Sequence, residues 1–82
     1  MIARKAGYGQ QLAVRTARAA GASWASIARA LGVSKQAAWE AHTRWIDGQG
    51  AAHRASGDEG LDPEEVARLR RRAGSPNDDP PP

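Results

Sequence analysis

Lys35, Gln36, Trp39, Glu40 and Thr43 recur at helical spacing and bring together an ammonium, an amide, an indole, a carboxylate and a hydroxyl. Ala38, Ala41 and Trp45, at i, i+3 and i+7, read as the inner face of the same helix, which leaves the polar set outside. Groups of these types in a row match the edges of base pairs. The Gln36 amide can pair with adenine, Lys35 can donate to guanine or to a phosphate, and Glu40 can accept from cytosine or exclude wrong sites by repelling phosphates. Trp39 lies some 100° round the helix from Ala38, at the edge of the outer face. There it either touches a thymine methyl or sugar, or packs against the N-terminal arm or the C-terminal helix.

Other residues have the chemistry for phosphate. The Ser34 hydroxyl and the first amides of the helix it opens form an anion seat, since unpaired N–H groups and the helix dipole point outward there. Arg15, Arg18, Arg29 and Arg44 read as phosphate clamps, collectively rather than individually. Arg4 and Lys5 are either a basic arm entering an adjacent minor groove or two solvated charges near a terminus. Arg70, Arg71 and Arg72 end a helix, where positive charge already stabilises the dipole, so a structural role is favoured for them.

The elements that must position these groups are punctuated by local signals. Residues 1–8 read as a flexible basic arm because Gly7 and Gly9 interrupt a helix. Residues 10–20 are alanine-rich and free of glycine, which favours a first helix ended by Gly21. Ser23 caps a second, whose buried face is Trp24, Ile27, Ala28 and Leu31. Gly32 supplies a positive φ for a sharp exit, Val33 plugs the corner, and Ser34 caps a third helix that Asp47 and Gly48 stop after about residue 46.

Residues 48–61, "GQGAAHRASGDEGL", lack a consistent period and read as a linker. Residues 62–74 carry Asp62 as N-cap, Pro63 at the first position and Gly74 just past the end, which defines a C-terminal amphipathic helix. Its stripe of Leu61, Val66, Leu69 and Ala73 is either a homodimer contact or the face that folds back on the bundle. Residues 75–82 read as a disordered proline-rich tail.

Small residues where two helices must cross, a glycine in the turn and a hydrophobe beside it form the spacing of a helix-turn-helix unit. The segment "AAGASWASIARALGVSKQAAWEAHTRW", residues 19–45, resembles the DNA-binding helix-turn-helix of small actinobacterial regulators and is similar to the homeodomain-like segments of sigma-factor region 4 and resolvase-type proteins. The resemblance covers about a third of the chain. It implies a three-helix DNA-binding domain over residues 9–47, with Ser34, Lys35, Gln36, Trp39, Glu40 and Thr43 toward the DNA and Ile27, Ala28, Leu31, Gly32, Val33 and Ala38 as scaffold.

Composition bounds the alternatives. Of 82 residues, 18 are alanine and none is phenylalanine, so the large core formers are few: Leu12, Val14, Trp24, Ile27, Leu31, Val33, Trp39, Trp45, Ile46, Leu61, Val66 and Leu69. So small a core leaves little room for a deep ligand pocket. The net charge of +3 hides an asymmetry. Residues 1–46 hold seven Lys or Arg against Glu40 alone, whereas the remainder is acidic overall. A basic half points to a polyanionic partner.

Cysteine is absent, which excludes disulfides and thiolate metal sites. His42 and His53 have no clustered acids near them, so no metal, catalytic residue or cofactor is expected, nor a small-molecule ligand. No stretch approaches the roughly 20 apolar residues that span a bilayer, and a cytoplasmic, nucleoid-associated location follows. The expectation is therefore an all-α chain, a three-helix bundle with a helix-turn-helix followed by a linker and a C-terminal helix, that binds double-stranded DNA as a transcription regulator. Its rivals are a protein-binding adaptor on the same fold and a mobile-element or plasmid accessory protein such as an excisionase.

Overall fold

A computed structural model of the chain describes residues 2–77, with side chains from residue 9 onward. Among these it contains four α-helices and no strand: α1 (Ile2–Ala19), α2 (Trp24–Leu31), α3 (Lys35–Ser56) and α4 (Pro63–Ala73). No helix among the described residues is long and apolar enough to cross a membrane.

The helix starts follow from short-range chemistry. Ser23, Ser34 and Asp62 are extended, and their side chains accept hydrogen bonds from the amides of Ser26, Ala37 and Glu65 at 3.0, 3.0 and 2.8 Å. Each bond satisfies one of the donors that a helix start leaves unpaired. Gly32 ends α2 at φ 74°, where its amide and that of Val33 both bond to the Ala28 carbonyl. A residue with a Cβ resists that left-handed conformation, so glycine sets the abrupt exit into α3.

Three expectations are corrected at this level. Residues 2–8 are not an irregular arm, because the helix begins at Ile2 and runs through both glycines. Val33 does not plug the corner; it is 46 % exposed, and Leu12 is 38 % exposed. The third helix does not stop at Asp47: α3 continues to Ser56, so most of the expected linker is helical and only residues 57–62 connect it to α4.

Close packing accounts for the length of α3. Gly50 is buried, and a Cβ there would stand 3.3 Å from Cγ2 of Val66 on α4. Glycine inside a helix costs about 1 kcal/mol relative to alanine, and here the missing side chain lets α4 come in against the backbone. Gly60 serves the same approach: at φ 76° it lies where a side chain would strike the Gln49 carbonyl, and the next amide, Leu61, donates to that carbonyl at 3.0 Å.

The described core comprises Val14, Trp24, Ile27, Ala28, Ala38, Ile46, Leu69 and Ala73, with Leu31, Trp39, Trp45, Leu61 and Val66 packed partly buried against it. Leu69 and Ala73 are 4 % and 1 % exposed, so these two members of the stripe fold back on the bundle, while Leu61 and Val66 are half-buried. Burial of a leucine side chain contributes about 1.5 to 3 kcal/mol, which is substantial in a chain of this size. Pro76 is also buried, which removes it from the expected disordered tail; residues 78–82 of that tail lie outside the described residues.

The other elements hold α4 at its C-terminal end. Trp24 Nε1 donates to the Ala73 carbonyl at 2.8 Å, Trp39 Nε1 donates to the Gly74 carbonyl at 2.8 Å, and the Arg18 guanidinium donates twice to the Arg72 carbonyl at 3.1 and 2.8 Å. A helix end leaves its last carbonyls without intrahelical partners, and here α1, α2 and α3 each supply a donor. Replacing Trp24 with Phe should therefore cost more than its lost volume, because the Ala73 carbonyl stays buried without its donor. We expect about 1 to 3 kcal/mol in urea unfolding, with Trp39→Phe costing less because that bond is exposed; equal losses would sink the assignment.

Candidate nucleic-acid interface

The N-terminal half of α3 begins at the Ser34 cap and has no acidic residue in its first turn. Lys35, Gln36, Ala37, Glu40 and Arg44 are exposed on it, and Arg29 is exposed at the end of α2. Arg29 and Arg44 form no ion pair among the described residues. Positive side chains near a capped helix start make this end of the molecule attractive to anions.

Gln36 and Glu40 are joined: Nε2 of Gln36 donates to Oε2 of Glu40 at 2.8 Å, one helical turn away. That bond uses one of the two amide hydrogens and orients the amide plane. One N–H and the amide oxygen remain, which is the donor and acceptor pair that adenine's N7 and N6–H require. Thr43 is half-buried and its hydroxyl donates to the Glu40 carbonyl at 3.1 Å, so it is already partnered within α3.

Other residues expected at such a surface are engaged elsewhere. Trp39 is turned toward α4 through its bond to Gly74, which realises the packing alternative rather than a base contact. Arg15 is paired with Glu65 of α4 at 2.7 Å, both side chains part-buried. Arg18 donates to the Ala22 carbonyl at 2.8 Å as well as to Arg72, and its guanidinium lies 4.9 Å from the centre of the Trp24 ring. These two arginines join α1 to α4 and are withdrawn from the phosphate set by their partners. The side chains of Arg4 and Lys5 lie outside the described residues.

The sequence reading missed His42. It is 1 % exposed, stacks on Trp45 with ring centres 5.6 Å apart and 17° between planes, and meets Trp24 at 5.8 Å and 56°. Its Nδ1 is 2.9 Å from Oε1 of Gln11 on α1; an amide oxygen only accepts, so the ring carries its proton on Nδ1. The signal was available as spacing. Ala38, His42, Ile46 and Gly50 recur every four residues and are the buried positions of α3, in place of Ala41 and Trp45, which are half-buried.

No family model, curated protein or solved structure matches the chain.

Burial pushes the His42 imidazole down from its ordinary 6.5 to about 4, and the charges of Arg18 and Arg15 act in the same direction. Between those two values the unfolded chain binds a proton that the folded chain refuses, so stability rises with pH across that window. The contribution is complete above about pH 7, declines as pH falls from about 6.5 toward 4, and is constant below. At about 1.4 kcal/mol per pH unit the total is about 3 kcal/mol. Urea unfolding between pH 4.5 and 7.5 should show this slope, and imidazole NMR should place the folded titration below about pH 5; an NMR midpoint near 6.5 contradicts the assignment.

Proposed function

We propose that the chain binds double-stranded DNA sequence-specifically and acts as a transcription regulator, with α2 and α3 as a helix-turn-helix and the N-terminal half of α3 in the major groove. The observation that carries this reading is the exposed row of Gln36, Glu40 and Arg44 behind the Ser34 cap, with Lys35 beside it, none of which is buried in the core. Core packing accounts for Ala38, His42, Ile46 and Gly50 on the same helix and gives no reason for the outer row.

Each side chain then has a part. The Gln36 amide, held by Glu40, reads an adenine edge, and Glu40 accepts from cytosine when its second oxygen is presented. Lys35, Arg29 and Arg44 neutralise phosphates, and the first amides of α3 cradle one. Trp39, Thr43, Arg15 and Arg18 hold the scaffold that aims this row. The reading assigns binding without catalysis, a cofactor or a metal, and a nucleoid location. Among the described residues no group of three or more His, Cys, Asp or Glu is placed to hold a metal ion.

Selection of bound sites from random duplexes, followed by a salt series on the selected site, tests this. Log affinity should fall linearly with log salt, by about 0.9 per phosphate neutralised. Gln36→Ala should relax preference at one base position at a cost of about 1 to 3 kcal/mol, while Arg44→Ala weakens all sequences alike. No enriched sequence, with duplex binding no tighter than that of an uncharged control at low salt, overturns the reading and leaves the adaptor alternative.

A further inference from the structure

We propose that the C-terminal end of α4 is a second DNA contact, in which Arg71 meets the sugar-phosphate strand flanking the groove that α3 enters. The inference rests on α3 being the major-groove helix and concerns what lies next to it.

Three contacts fix the register of the two helices. The Leu61 amide bonds to Gln49, Arg70 pairs with Asp47, and Trp39 bonds to Gly74. As residue numbers rise on one helix they fall on the other, so α4 runs antiparallel to α3 and its C-terminal end stands beside the N-terminal half of α3. Packed helices are about 8 to 10 Å apart axis to axis, and the major groove is about 12 Å wide. Both cannot enter one groove. With α3 inside, the end of α4 stands over the phosphate wall.

The charges at that end fit the position. Arg70 reaches Asp47, and Arg71 follows about 100° further round the helix, away from α1, whose Arg18 holds the Arg72 carbonyl. Arg71 is exposed and forms no ion pair among the described residues. The acids of α4 are in its first turn, at the far end, where Glu65 is paired with Arg15 and Arg68. A helix C-terminus ordinarily repels phosphate, because unpaired carbonyls form the negative end of the dipole. Here the Arg72 and Ala73 carbonyls, and that of the Gly74 cap just past the helix, are each taken by an N–H donor, from Arg18, Trp24 and Trp39. Those three carbonyls are bonded inward, Arg70 is neutralised by Asp47, and the Arg71 guanidinium is left exposed.

The test uses the full chain with Arg71→Ala, and Arg54→Ala as a control of equal charge change. Arg54 is exposed on α3, 18 residues beyond Gln36 and thus about 27 Å along the helix. Affinities for a selected duplex and for a scrambled one are measured from 50 to 200 mM salt, with thermal melts confirming that both variants are folded. Arg71→Ala should weaken both duplexes equally, reduce the salt slope by about one contact and lose about threefold of the salt dependence across that range; Arg54→Ala should leave the slope unchanged. If wild type binds with a Gln36-dependent preference and Arg71→Ala matches Arg54→Ala, this inference is overturned and the α3 reading stands. If wild type shows no salt-dependent duplex binding, both fall.

Discussion

The fold depends on how the last carbonyls of α4 are satisfied. A short helix of 11 residues is marginal by itself, and its terminal C=O groups need partners once Ala73 is buried. Trp24 answers with an indole that is fully buried, so a single side chain fills the centre of the core and caps a helix 49 residues away in sequence. Arg18 lies against the face of that indole and bonds to the neighbouring carbonyl, and Trp39 takes the next. Three helices are thereby tied to one point, and the orientation of α3 against α4 follows from it.

A second constraint runs through the same aromatic residue. Trp24, His42 and Trp45 form a cluster whose imidazole is neutral and bonded to Gln11, which fastens α1 to the middle of α3. The histidine occupies a position that a plain hydrophobe could fill, yet it gives the contact between α1 and α3 a direction as well as an area. With so few large apolar residues available, such directional bonds carry a share of the specificity that a larger core would supply by packing.

What was legible in the sequence was local. Ser23, Ser34, Asp62–Pro63 and Gly74 mark helix ends because capping is decided within three or four residues, and each lies where expected. What was illegible depended on α4. Asp47 and Gly48 look like a stop until Val66 is placed against Gly50, and Trp39 looks ambiguous until the Gly74 carbonyl arrives beside it. Arg15 and Arg18 read as free cations because their partners, Glu65 and the Arg72 carbonyl, are about fifty residues away. His42 was illegible for a different reason: a polar side chain does not read as part of a buried stripe, although its spacing from Ala38 and Ile46 is that of one face.

The division of α3 into a packed stripe and an outer row has an evolutionary consequence. Gln36, Ala37, Glu40 and Arg44 are outside the core, and exchanging exposed helix residues with good propensity changes stability by only about half a kcal/mol. The stripe of Ala38, His42, Ile46 and Gly50 has no such freedom. Drift in the outer row can therefore alter the chemistry this face presents while the same scaffold persists, at almost no thermodynamic penalty.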